Sequence, residues 1–245
     1  MQGSNIMIAA IGAMALGGCG VAGGTPDEES GDGRAAARDY TVGDFDSVSL
    51  VGPHDVFVSV GGPAAVRAEG DAKAIERLNI RVEAGDLKIG VKDRAWLGFG
   101  RERPRVVIHV TLPSLAAATI GGSGDMRIDK VDGGAFAATI GGSGDMAIGQ
   151  LQARRAEFSI AGSGGIEAAG KVQEANLSIA GSGDIKAGRL ESQVASVAIV
   201  GSGNVHARAM KSVDISVMGS GDVAISGTAK CRTSKMGSGS VRCEG

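Results

Sequence analysis

The chain has 245 residues and carries 25 Lys and Arg against 27 Asp and Glu. That near balance gives no reason to expect nucleic acid or an anionic membrane surface as a partner. Its 42 glycines exceed the usual share of about 7%, but their long period excludes collagen, and the interleaved Val, Ile and Ala exclude a disordered low-complexity chain.

Aromatic residues make up 3%, with Trp96 and Tyr40 single of their kinds, so a core must be built from small and β-branched side chains. The first feature along the chain is an apolar run from Ile6 to Leu16, followed by Leu16-Gly17-Gly18-Cys19. The run is too short for a spanning helix of about 20 residues and suits the apolar region of a secretory signal. Leu16-Gly17-Gly18-Cys19 resembles the lipobox of bacterial lipoproteins, in which the cysteine thiol is lipidated and the preceding peptide removed. One departure is that Met1–Met7 contains no Lys or Arg. The alternative is a buried Cys after an ordinary apolar stretch. Residues 20–38 are Gly- and acid-rich without apolar periodicity, as in a solvated tether.

The expected organisation is therefore a lipoprotein-type signal peptide over 1–18, then lipidated Cys19 and a tether over 19–38. A β-domain follows over 39–245, irregular through 112 and regular from 113. This places the protein at the bacterial envelope, on the outer membrane and facing the periplasm or the exterior, with the membrane as partner through its lipid.

Between Tyr40 and Leu112, Val56–Val60, Leu87–Val91 and Val106–Val110 read as strands, and residues 72–78 as a helical turn. Gly52-Pro53-His54-Asp55-Val56 has the form of a degenerate turn. Residues 92–105 form a basic loop whose Trp96, Phe99, Arg101 and Arg103 make the least repetitive candidate contact surface. The alternative is a solvated insertion whose aromatics pack on the body of the domain.

From Gly122 onward Gly-Ser-Gly recurs seven times, at steps of 20, 20, 19, 20, 18 and 18 residues. A regular recurrence of this length marks stacked supersecondary units. Aligned on the first Gly, the position two before it holds Ile120, Ile140, Ile160, Ile179, Ile199, Val217 and Lys235. Four before, four after and six after are likewise mainly apolar, and a further apolar position falls nine after, with Val172 one place late. Polar columns alternate with these, a period of two that belongs to strands. Each unit reads as strand, glycine corner, strand and looser turn. Stacking such units at about 4.8 Å turns their apolar positions into inward ladders, as in a parallel β-helix.

The corners with Asp125, Asp145, Asp184 and Asp222, the opening Phe45-Asp46-Ser47-Val48, the segment Gly85-Asp86-Leu87-Lys88-Ile89 and the ending Met236–Cys243 together resemble a bacterial family. It is the "putative auto-transporter adhesin head GIN domain". The resemblance covers roughly Tyr40 to Gly245. It implies an all-β fold, a right-handed single-stranded parallel β-helix with coils of about 18–20 residues, on secreted or lipid-anchored envelope proteins. It implies no activity.

The corner serines lack the Gly-x-Ser-x-Gly strand-to-helix setting of a nucleophile, and their repetition marks a turn residue. The aspartates invite comparison with calcium-binding β-rolls, but Gly165, Asn204 and Ser240 interrupt the series. Local backbone bonding by Asp is the better account. His54, His109 and His206 lack metal spacing. Neither a metal site nor a cofactor is expected. A sugar-cleaving β-helix would need clustered carboxylates, which the outward columns lack.

Cys231 and Cys243 lie six before and six after the last corner, both inward, so an exported chain can join them. The alternative is two buried thiols. The expected function is a non-enzymatic envelope protein presenting a structural or adhesive surface. A module binding or sensing an envelope carbohydrate is the second reading, with a glycan or protein ligand, and a homo-oligomer is compatible with either.

Overall fold

The computed structural model describes residues 35–92 and 106–244. It is a β-solenoid of about 6 turns. The regular part runs through β8 (Ala117–Ile120), β9 (Met126–Gly142), β10 (Asp145–Gly162), β11 (Gly165–Gly181), β12 (Asp184–Gly201) and β13 (Asn204–Gly219). The last described coil consists of β14 (Val223–Ser226), β15 (Lys230–Met236) and β16 (Val241–Glu244). Each coil pairs in parallel with the next, and the aligned isoleucines become one ladder: Ile140, Ile160, Ile179, Ile199 and Val217 are direct register partners.

In the coil of β10 the inward residues fall in three sets, Met146 with Ile148, then Leu151, then Ala156 with Phe158 and Ile160, all buried. Exposed Gly149-Gln150 and Arg154-Arg155 separate these sets. Each large side chain buried this way contributes roughly 1.5–3 kcal/mol, which together with the main-chain ladder favours stacking. In the last coil the inward columns end in residues that are not buried, Thr233, Lys235 and Cys243.

The corners explain the glycines. The first Gly of each takes a positive φ, +132° at Gly201, a region that disfavours a side chain. The second has no room, since a Cβ on Gly144 would lie 2.0 Å from the Gly124 carbonyl oxygen. Successive corners are tied by main-chain bonds such as Ser143 N–H to the Gly122 carbonyl, 2.9 Å.

Coil length accounts for one departure from the sequence alignment. Val172 does not continue the Leu151 column; Gly170 stacks between Leu151 and Leu190, and Val172 lies between Ala153 and Ser192. The coil is one residue shorter than its neighbours, and the register shift in β11 absorbs the deletion. In the following shorter coil Ala209 pairs with Ser192 and is buried, while Met210 is only half-buried. The buried Ser192 hydroxyl donates to the Arg208 carbonyl, 2.8 Å.

The first part of the chain supplies two coils, β2 (Ser47–Leu50) with β3 (Asp55–Val60), and β6 (Asp86–Val91) with β7 (Val106–Leu112). They do not stack in chain order. β2 lies between β6 and β8, and β3 between β7 and β9, so the later coil is the outer one. The expectation of simple successive coils is corrected on a second count as well. Strands β1 (Ala35–Tyr40), β4 (Ala65–Asp71) and β5 (Leu78–Glu83) pair antiparallel and close this end.

Tight turns force the reversals: Ala84 and Gly85, both at positive φ, join β5 to β6 as a two-residue hairpin loop. Helix α1 (Ala72–Glu76) is capped by Asp71, whose Oδ1 accepts the Ala74 N–H at 2.9 Å. Its Ala74 and Ile75 are buried over the core. Because β1 begins at Ala35, residues 35–38 belong to the sheet rather than to a tether.

Candidate functional site

The outward face of the strands that leave the corners carries two adjacent rows. The first holds Asp125, Asp145, Gly165, Asp184, Asn204, Asp222 and Ser240, one from each coil. Its carboxylates bond across coils and not within their own turn, which corrects the local-turn expectation. Asp125 Oδ1 accepts the Asp145 N–H at 3.0 Å, and Asp145 Oδ1 accepts the Gly165 N–H at 2.8 Å. Asp184 Oδ1 accepts from Asn204 N and Nδ2, and Asn204 Oδ1 in turn accepts the Asp222 N–H at 3.2 Å. The Ser240 N–H and hydroxyl both donate to Asp222 and hold its carboxyl below the usual carboxylate range. The series breaks at Gly165, which offers the Asp184 N–H no side-chain acceptor; that N–H donates to the Gly164 carbonyl at 3.2 Å, as the Asn204 N–H also does to the Gly183 carbonyl.

The second row begins with His109, Phe57 and Arg127, register partners on β7, β3 and β9. The Phe57 and His109 rings stack at 5.6 Å, and the Arg127 guanidinium lies over the other side of Phe57 at 5.4 Å, a cation–π arrangement. The row continues through Ala147, Glu167, Lys186 and His206. Glu167 pairs with Arg189.

Where the two short residues Ala147 and Gly165 meet, the face sinks into a depression of about 390 Å³. Asp125, Asp145 and Asp184 lie along one side of it, with Arg127, Glu167 and Lys186 on the other. The arrangement offers hydrogen-bond acceptors and donors side by side. Among the described residues no three His, Cys, Asp or Glu side chains are placed to hold a metal ion.

Of the residues singled out in the sequence, Cys19, Trp96, Phe99, Arg101 and Arg103 lie outside the described residues. Cys231 and Cys243 are joined, with S–S 2.11 Å and Cα atoms 6.7 Å apart, across the last coil. Gly52-Pro53-His54 is a corner, as its residue types indicate: the Gly124 N–H donates to the Gly52 carbonyl at 2.9 Å. His54 takes the place of the second glycine and is 1% exposed. Neither ring nitrogen has a hydrogen-bond partner among the described residues, and burial pushes its pKa below the ordinary histidine value.

Sequence reasoning missed the Phe57–His109–Arg127 stack. One signal was available, since Phe57 stands five residues after Gly52 as Arg127 does after Gly122.

A family model described as "Putative auto-transporter adhesin, head GIN domain" matches residues 44–229. No curated protein matches the chain. Several solved structures do. A "putative adhesin" from Bacteroides fragilis is 21% identical, with a TM-score of 0.78 over 86% of this chain and 97% of that one. A "putative lipid binding protein" from Parabacteroides distasonis is 26% identical, with a TM-score of 0.69 over 86% and 97%. A "putative adhesin" from the same species is 24% identical, with a TM-score of 0.67 over 87% and 98%.

Proposed function

The chain belongs to the family described as "Putative auto-transporter adhesin, head GIN domain", and from that premise we propose a non-enzymatic adhesive protein of the bacterial cell envelope, anchored through a lipid on Cys19. The observation that carries this reading is the two-row outward face, which sets polar and charged side chains of successive coils side by side in fixed register. Such a surface gains attachment strength by summing many weak contacts. A hydrolase instead needs an acid, a base or a nucleophile converging on one reacting atom, whereas these side chains are spread along a line.

The 26% identical relative bears a lipid-binding name. In this chain the solenoid interior is already filled by Phe136, Phe158 and the aliphatic ladders, which leaves the lipid the role of anchor. The anchor is supported by Leu16-Gly17-Gly18-Cys19 and the Gly- and acid-rich segment after it.

Protease added to intact cells is expected to digest the domain, and Cys19→Ser to release it from the membrane fraction. Beads coated with the purified protein are expected to attach to cells or envelope material and to liberate no soluble glycan fragment. A domain protected in intact cells, or beads that fail to attach, would overturn the adhesive assignment.

A further inference from the structure

We propose that the depression at Gly165 binds a neutral, hydroxyl-rich ring, one sugar unit of an envelope glycan; the assignment rests on the adhesive reading above. Its starting point is a double omission. In the first row every coil from Asp125 to Asp222 supplies an Asp or Asn that bonds onward to the next coil, except at Gly165. In the second row Arg127, Glu167 and Lys186 project, and Ala147 between the first two does not. The omissions fall on adjacent coils and together make the depression.

The backbone does not require a glycine there. Gly165 lacks the positive φ of the corner glycines. A Cβ on it would crowd only the flexible carboxylate of Asp145, at 2.9 Å, where the corner glycines would strike main-chain atoms. A local rule broken with no structural return is the mark of a functional position.

Charge then sorts the ligands. An anion entering the depression meets Asp145, Glu167 and Asp184. A cation meets Arg127 and Lys186, and finds no three-ligand cluster among the described residues. A hydroxyl both donates and accepts. Neighbouring hydroxyls of one ring therefore donate to the carboxylates on one side and accept from the guanidinium and ammonium on the other. The volume, about 390 Å³, is at the small end of ligand sites and suits a single ring. An extended glycan seated there has the rest of the polar face along which to lie.

The test is ¹H–¹⁵N NMR of the full chain carrying Cys19→Ser, titrated at millimolar concentration with glucose, galactose, mannose and N-acetylglucosamine. Saturable shifts confined to Asp145–Ala147, Ser163–Glu167 and Asp184–Lys186 are expected with at least one sugar. They should vanish in Gly165→Asp, which only completes the ladder that neighbouring coils already carry and so keeps the fold. Ala147→Lys, which fills the other half of the depression, should act alike. Absence of saturable shifts with every sugar, or shifts unchanged in Gly165→Asp, would overturn the site. A saturable response to inorganic phosphate or to ethanolamine at the same residues would overturn the neutral-ligand assignment. If sugar shifts are absent while coated beads still attach to cells, the pocket fails and the adhesive reading stands. Sugar shifts in a protein whose beads do not attach give the reverse result.

Discussion

Asp145 reaches across the gap between two coils to accept the backbone N–H of Gly165 at 2.8 Å. The bond extends the main-chain ladder by way of a side chain, and Asn204 makes the equivalent bond to Asp222. An amide oxygen therefore serves as well as a carboxylate. Asp145→Ala is expected to lower the melting temperature by a few degrees because the Gly165 N–H loses its partner, while Asp145→Asn stays near wild type. If these aspartates were calcium ligands, added calcium would raise the wild-type melting temperature and Asp145→Asn would abolish the rise. No such response is expected.

The corner glycines are expected to be intolerant where other glycines are not. At Gly201 φ is +132°, and a Cβ would sit 2.2 Å from the Gly181 carbonyl oxygen. Both strain and collision act, so Gly201→Ala should cost about 3 kcal/mol or more in a chemical melt. At Gly133 a Cβ would meet nothing within 4 Å, and the backbone has no such φ. Gly133→Ala should change stability by less than about 0.5 kcal/mol. Equal effects at the two positions would refute the close-approach account of the corners.

How far the sequence can be read depends on whether a feature repeats. The Ile140–Ile160–Ile179 ladder and the glycine corners are legible because identical neighbours stack on one another, so an alignment of the chain with itself is already a contact map. Spacing misplaces Val172 because a one-residue deletion shifts the register locally, and spacing alone does not say where the shift is absorbed. The swapped order of the first two coils is illegible for a similar reason. Phe57 and His109 meet only because the chain runs outward through β4, α1 and β5 before returning, a route set by turns such as Ala84-Gly85. The depression is visible in the aligned columns as Ala147 and Gly165 on successive coils, but only the structure shows that no neighbouring side chain fills the two gaps.

His54 makes stability depend on pH. Its folded-state pKa lies below the ordinary value of 6.5 because burial disfavours the charged ring. The neighbouring Asp55 opposes that shift more weakly. Below about pH 6.5 the unfolded chain therefore binds more protons at this residue than the folded one, and stability falls as pH falls. The loss is complete once pH drops below the folded-state pKa. His54→Leu removes the titration and keeps the position buried. Subtracting its melting-temperature profile from that of wild type between pH 7 and 5 should leave a downward slope toward acid. A flat difference would show that His54 is not held neutral in the core.

Large and small side chains exchange places along the core. Phe136 shares its coil with Ala138, and in the next coil Ala156 accompanies Phe158; all four are buried. Phe158 stacks between Ala138 and Leu177. Phe158→Ala should cost about 3–5 kcal/mol, and Ile160→Asp, which buries an unpaired charge in the adjacent column, should prevent cooperative folding. A denaturant midpoint unaffected by either substitution would remove both positions from the interior.

Cys231 and Cys243 close the last described coil where the aliphatic ladders give way to Thr233 and Lys235. The coil that carries the bridge has fewer buried side chains to hold it, so the covalent link matters more there than it would in the middle of the solenoid. Restricting a loop of 12 residues in the unfolded chain contributes about 3 kcal/mol in the chain-entropy account. Reduction, or Cys231→Ser with Cys243→Ser, is therefore expected to lower stability by an amount of that order. Amide exchange should quicken first in β15 and β16 while the interior strands β10–β12 keep their protection, because opening of an end coil does not require opening of its distant neighbours. Exchange that quickens equally in β10 and β15 on reduction would show instead that the bridge supports the whole solenoid as one cooperative unit.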